Sequence, residues 1–175
     1  MKQIWKIVGI ILIALLLIFV VYKISTRKEK PFSKIEFNKS HLVFNQTDVQ
    51  YLDTIVHTGL QCLNVDSAIV VIRPFKEVTA PDDIEFKAYL VGKEYTYILY
   101  INKFNREFNI TAISHELIHL TQYKSKQLII NGAVCIWNGD TVDVTKILYD
   151  QRPWEKDAFT KQIELSNKVT KLLYK

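Results

Sequence analysis

The sequence predicts an α+β domain, a small mixed or antiparallel sheet with helices packed on it, behind an N-terminal transmembrane helix. Three observations lead there. A stretch of nineteen residues, 4–22, is apolar apart from Lys6. Short β-branched and aromatic runs recur through the rest of the chain, bounded by Gly, Pro and Asn, the pattern of strands and tight turns. Around 48–62, around 110–123 and from 153 onward, apolar residues instead repeat at helical spacing.

The N-terminal stretch has the length of a membrane span. Nineteen helical residues rise about 28 Å, close to the roughly 30 Å of a bilayer core. Lys2 and Lys6 precede or enter it, and Lys23, Arg27, Lys28 and Lys30 follow. Tyr22 to Thr26 offers no small-x-small cleavage site, so an uncleaved single-pass anchor is expected over a removable signal peptide. Residues 1–30 are therefore read as anchor and 31–175 as the folded domain. The basic flanks suit anionic lipid head groups. They do not orient the span, because a basic juxtamembrane cluster and a short basic N-terminus pull in opposite directions.

The same division disposes of the net charge of +5. Residues 1–30 hold six Lys/Arg and one Glu; residues 31–175 hold seventeen of each sign. A domain that binds nucleic acid needs a basic face of its own, and a neutral domain is not expected to have one. Two cysteines, Cys62 and Cys135, are read as small core residues, with pairing left open.

In order, residues 35–44 suggest a short strand with a turn. Thr47-Asp48-Val49-Gln50 has the capping-box pattern and predicts a helix over about 48–62. Asn64-Val65-Asp66 turns the chain into a β-branched strand, Ala68–Ile72, closed by Pro74. Residues 84–91 and 95–102 predict a hairpin around Gly92-Lys93-Glu94, the second run being the most aromatic strand in the chain. Asn109 is the expected cap of the next helix. Residues 128–130, 134–137 and 141–144 are short strands, the last two joined by Asn138-Gly139-Asp140, whose first two residues accept positive φ. Pro153 opens the final helix, where its missing N–H does no harm.

The chemistry lies in the second helix, in His115-Glu116-Leu117-Ile118-His119. On a helix, residues four apart share a face, so two imidazole nitrogens can reach one Zn²⁺ at about 2.0–2.1 Å. Glu116, one position on, lies beside the metal, where it can take a proton from a water there. Ile113, Leu117 and Leu120 fall on roughly the opposite side, so the histidines are off the main apolar stripe, and Gln122 and Thr111 share their side as cleft residues. A third ligand is needed. Gln122 and Ser125 stand where an extended H-E-x-x-H-x-x-G-x-x-H motif needs Gly and His, which excludes that class. His41 and His57 lie far upstream and read as structural histidines. Glu155, at the start of the last helix, completes a His₂Glu set. Asp150 is a weaker alternative, and Asp157 faces away and can support the site from behind.

His115-Glu116-Leu117-Ile118-His119 followed by Pro153-Trp154-Glu155-Lys156-Asp157-Ala158 resembles the gluzincin class of zinc metallopeptidases, in its small forms with a P-x-E-x-[ED]-A second motif. The resemblance spans roughly 88–171. It implies a zincin-like fold with an active-site helix and a C-terminal glutamate-bearing helix. It also implies zinc held by His115, His119 and Glu155, with Glu116 as general base, and a peptide or protein substrate aligned along the aromatic strand Tyr95–Asn102 at the sheet edge. Tyr149 and Tyr123 are the nearest candidates for stabilising an oxyanion. The rival expectation is a membrane-anchored interaction protein on an inactive scaffold of the same kind, since a fold does not imply activity.

Overall fold

The four-stranded sheet begins with a βαβ unit. The structure, a computed structural model, describes residues 40–74, 88–93, 95–101 and 106–175. Strand β1 (His41–Asn45) leads through helix α1 (Leu52–Cys62) to β2 (Ala68–Pro74), parallel to β1. A hairpin follows, β3 (Ala88–Lys93) against β4 (Thr96–Ile101), with β4 parallel to β2. The strand order is β1-β2-β4-β3, so three strands run parallel and the edge strand β3 opposes them. Alternation sets the faces. Ala68, Val70 and Ile72 of β2 and Tyr97, Leu99 and Ile101 of β4 are buried, whereas Ile69, Val71 and Ile98 are half-buried on the other side.

This order corrects the expected edge. The aromatic run is interior, paired on both sides, and among the described strands the edges are β1 and β3. The reason is visible in burial: Tyr97 is fully buried despite its hydroxyl, and a strand with that payload is stabilised between neighbours rather than at a rim.

Helix α2 (Arg106–Lys124) packs on α1, on β3 and on α3 (Pro153–Leu173). Between α2 and α3 comes a three-stranded antiparallel meander, β5 (Leu128–Asn131), β6 (Val134–Trp137) and β7 (Asp140–Asp143), followed by two single 3₁₀ turns, Val144–Lys146 and Tyr149–Gln151. The β6–β7 loop is the expected Asn138-Gly139 pair, with φ of 51° and 93°, the type I′ geometry that matches strand twist. The meander closes over the start of α3: Leu128, Cys135 and Trp154 form a buried cluster flanked by Tyr123, Trp137, Val142 and Val144. That cluster holds Trp154, and with it the first turn of α3.

Two helix starts differ from expectation. Thr47 does not cap α1. Its amide and hydroxyl both donate to Asn45 Oδ1 at 2.9 and 2.7 Å, and its hydroxyl receives the Val49 amide at 3.1 Å. The side chain thus closes a local turn, a competing use of such residues, and α1 begins later, at Leu52. Asn109 lies inside α2, buried, with Nδ2 donating to the Tyr51 hydroxyl at 2.9 Å. The predicted span 4–22 and the strand residues 35–39 and 84–87 lie outside the described residues. Among those described, no helix is long and apolar enough to cross a membrane. Cys62 and Cys135 are free, Cys135 buried in the meander cluster.

Helices α1 and α2 come close at Gly59, where a Cβ would run into the Leu117 side chain. Leu117 is fully buried and lies between the two motif histidines in sequence. Gly59→Ala is therefore expected to destabilise the chain by about 1–3 kcal/mol through overpacking. In a Leu117→Ala background the same change fills the emptied space and adds about 1 kcal/mol of helix propensity, so its sign should reverse. A double-mutant cycle by urea unfolding reads this; strictly additive effects would contradict the close approach.

Candidate metal centre

His115 and His119 stand one turn apart on α2, as four-residue spacing requires, and Glu155 enters from the first turn of α3. Their donor atoms converge. His115 Nε2 and His119 Nε2 are 3.1 Å apart, and Glu155 Oε2 is 3.1 Å from the first and 3.2 Å from the second. All three residues are buried, at 5–7% exposure. Four ligands around an ion at about 2.0 Å stand roughly 3.3 Å from one another, so this near-equilateral triangle has the dimensions of one face of a metal tetrahedron.

The tautomers make a stronger case than the distances. Gln122 donates its Nε2 to Trp154 O at 3.0 Å and to Asp157 Oδ2 at 2.9 Å. Its Oε1 is thereby turned to His119 Nδ1, 2.8 Å away. An amide oxygen only accepts, so the His119 proton sits on Nδ1 and a neutral ring presents a lone pair at Nε2. Gln162 Oε1 stands 2.9 Å from His115 Nδ1 and does the same there. Two imidazole lone pairs and a carboxylate oxygen then face one another in a buried space. Three acceptors in contact are repulsive unless a cation stands between them. The three residues form a group that can hold a metal ion, and a hydrogen-bond partner on the far nitrogen of each histidine is what metal-ligating imidazoles ordinarily carry.

Protons answer the same demand when no metal does. Burial penalises charge on His119, but its bonds to Glu155 outweigh this and raise its pKa above the usual imidazole range. Burial likewise works against the Glu155 carboxylate, yet its bonds to His115, His119 and Tyr149 push it down to about 2. Glu116 goes the other way. Buried at 6% exposure, it is raised chiefly by desolvation, against the pull of both histidines and of a hydrogen bond from the Leu90 backbone amide on the edge strand.

The structure brings together His115, Glu116, His119 and Glu155. It leaves Asp150 exposed and outside the group. Asp157 supports the site from behind, through Gln122 and an ion pair to Lys161 at 2.8 Å. His41 is buried with Nε2 donating to Val65 O at 2.6 Å, and its ring lies 6.4 Å from His57, away from the triad. Tyr149 hydrogen-bonds Glu155, and burial pushes its phenol up, so it remains a donor. Tyr123 is also raised, by burial first and then by the nearby Glu116 and Glu155.

One expectation is corrected. The histidine face of α2 is not an open cleft opposite a core face, because every residue from 113 to 120 is buried. Helix α3 covers the histidine side, with Phe159 tilted over the His115 ring at 4.6 Å between centroids. Gln162 and Phe159 were not singled out from sequence. Their signal was available: with Glu155 at the start of α3, positions four and seven residues on share its face. Comparisons with protein-family models, with curated proteins and with solved structures find no match.

Two outcomes are expected. Gln122→Leu, which frees the His119 ring, should weaken metal binding about 10–100-fold in a competition titration with a chelating dye; unchanged affinity would show that Gln122 does not orient the ligand. The metal-free chain should be most stable at mildly acid pH. Glu155 is depressed, so its contribution is present above the ordinary carboxylate range and is lost as pH falls towards about 2. His119 is raised, so its contribution is complete below the ordinary imidazole value and is lost as pH rises through the folded one. Thermal unfolding against pH, with chelator present, should show both limbs. A flat alkaline limb would mean that His119 is not paired with Glu155.

Proposed function

We propose that the chain is a membrane-anchored, zinc-dependent metallopeptidase of gluzincin type, with His115, His119 and Glu155 as ligands and Glu116 as general base. The observation that carries this reading is the convergence of three lone-pair donors, two of them imidazoles whose tautomers are set by neighbouring amides. No fourth Asp, Glu, His or Cys joins the group among the described residues. Three protein ligands with a position left over is the pattern of catalytic zinc, and structural zinc is usually closed by four.

A zinc ion held there would polarise a peptide carbonyl and lower the pKa of a coordinated water towards about 7. Glu116 performs the proton transfer: a carboxylate raised by burial is a better base than one in water. The Leu90 amide holds that carboxylate in place from the edge strand. Among the described residues β3 pairs with β4 on one side only, and an extended peptide can add to such an edge as a further strand. This supports a peptide or protein substrate, on β3 rather than on the aromatic strand. Residues 4–22 tether the domain to the bilayer as a single-pass span.

The near-complete burial of the triad favours a second reading, an interaction protein in which the metal is a staple between α2 and α3. Carbonate-washed membranes carrying the full chain separate the two; release of the chain in the wash would remove the anchor. In that preparation Glu116→Gln should keep one zinc per chain and lose about 10²–10⁴-fold in cleavage of a peptide mixture, read by mass spectrometry. Equal cleavage by parent and variant would overturn the mechanism, and a zinc-loaded parent that cuts nothing would favour the staple.

A further inference from the structure

Arg152, the residue before Pro153, is a cation that has no ion-pair partner among the described residues. Its guanidinium lies over the Tyr149 ring, 5.3 Å from the centroid. Its Nε is buried and has no hydrogen-bond partner. Its terminal nitrogens form no hydrogen bond or ion pair with a described residue, and neither is among the buried unpartnered atoms. Each therefore keeps at least some exposure to solvent. Lysines nearby are employed: Lys146 pairs with Asp143 and Lys161 with Asp157. Arg152 has Asp150 two residues away but forms no ion pair with it.

The position is well defined. Arg152 caps α3 with φ −61° and ψ 133°, the extended conformation that a following proline imposes. The cation–π contact with Tyr149 fixes the other end of the side chain. Tyr149 in turn bonds Glu155, so the guanidinium is one tyrosine side chain away from the metal triad. Its field reaches the surroundings, favouring ionisation of both Tyr149 and Cys135 against the larger effect of burial.

We propose that Arg152 anchors a carboxylate on the substrate, an acidic side chain or a free C-terminus, no more than about three residues of extended chain from the bond that is cut. The proposal rests on the metallopeptidase reading and adds a specificity to it. A half-buried guanidinium whose Nη atoms are unpaired among the described residues offers two parallel N–H donors on that edge, the fork that a carboxylate matches with both oxygens. Residues 31–175 as a whole, Arg152 included, have equal numbers of positive and negative residues, so this is a local recognition group and not part of a general basic surface.

The test uses the full-length zinc-loaded chain in detergent and four mercaptoacetyl dipeptides, whose thiolate takes the metal's remaining position. One ends in a free carboxylate and its partner in an amide; the other two are amides carrying Glu or Gln. Calorimetry should show about 10–100-fold tighter binding of an acidic probe than of its neutral partner, as expected for a charge-assisted pair. Whichever pair shows the gain identifies the source of the carboxylate. In Arg152→Met the preference should vanish while the neutral probes bind as before and the zinc content stays at one per chain. Arg152→Lys should keep part of it, and thermal unfolding controls for folding in both. Equal binding of acidic and neutral probes by the parent, or a preference that survives in Arg152→Met, would overturn the proposal. If none of the four binds a zinc-loaded chain, the metallopeptidase reading falls and this one with it.

Discussion

Three lone pairs meeting in a dry space is the constraint on which the rest of this structure depends. His115 Nε2, His119 Nε2 and Glu155 Oε2 stand within 3.2 Å of one another, and an arrangement of acceptors alone would fly apart. Holding it requires a metal ion or a shared proton at the centre and a scaffold around it. The scaffold is specific. Gln122 has both amide protons occupied by Trp154 O and Asp157, so its oxygen has one direction left, towards His119. Trp154 is pinned by the meander cluster, and that cluster sets where α3 begins. Glu155 follows Trp154 directly. A line of contacts therefore runs from the Asn138-Gly139 turn through the meander to a ligand of the site.

The two glutamates of the site show how one chemical group acquires two characters. Glu155 and Glu116 are equally buried, at 5% and 6% exposure. Glu155 meets both imidazoles and the Tyr149 hydroxyl at hydrogen-bond distance, and this outweighs its desolvation. Glu116 feels the histidines only through space and has a single backbone amide, so desolvation wins. The first is thereby suited to remain an anion against a metal. The second is suited to exchange a proton. The divergence arises from a difference of one residue along α2 and from which partners the third dimension supplies.

Much of the site was legible in the chain. The four-residue spacing of His115 and His119 defines one helix face whatever the fold, and proline at 153 marks the first turn of a helix, which places Glu155 where an acidic residue is at home. The Asn138-Gly139 turn was legible for the same kind of reason, because few residue pairs accept positive φ twice. Other features were not. The sequence of the aromatic run Tyr95–Ile101 describes a good strand but carries nothing about its neighbours, and it proved interior. Thr47 has two local uses, helix cap or turn, and the choice depended on Asn45. The polarity of α2 suggested an open histidine face, but the face is covered by a helix that arrives thirty residues later.

What the sequence by itself determined, then, is local: periodicity, turns, caps allowed by proline, and the identity of ligand-type residues. These follow from dihedral preferences and from the 3.6-residue repeat, which act over a few positions. The tertiary structure alone decided which residues stand behind the ligands and which strand has a free edge. Gln162 reaches His115 across 47 residues of sequence and Gln122 reaches Asp157 across 35. Such pairs are set by the packing of α2 on α3, and no rule of local spacing contains them. The same holds for Arg152, an ordinary arginine in the sequence, whose lack of an ion-pair partner among the described residues could be seen only in the folded chain.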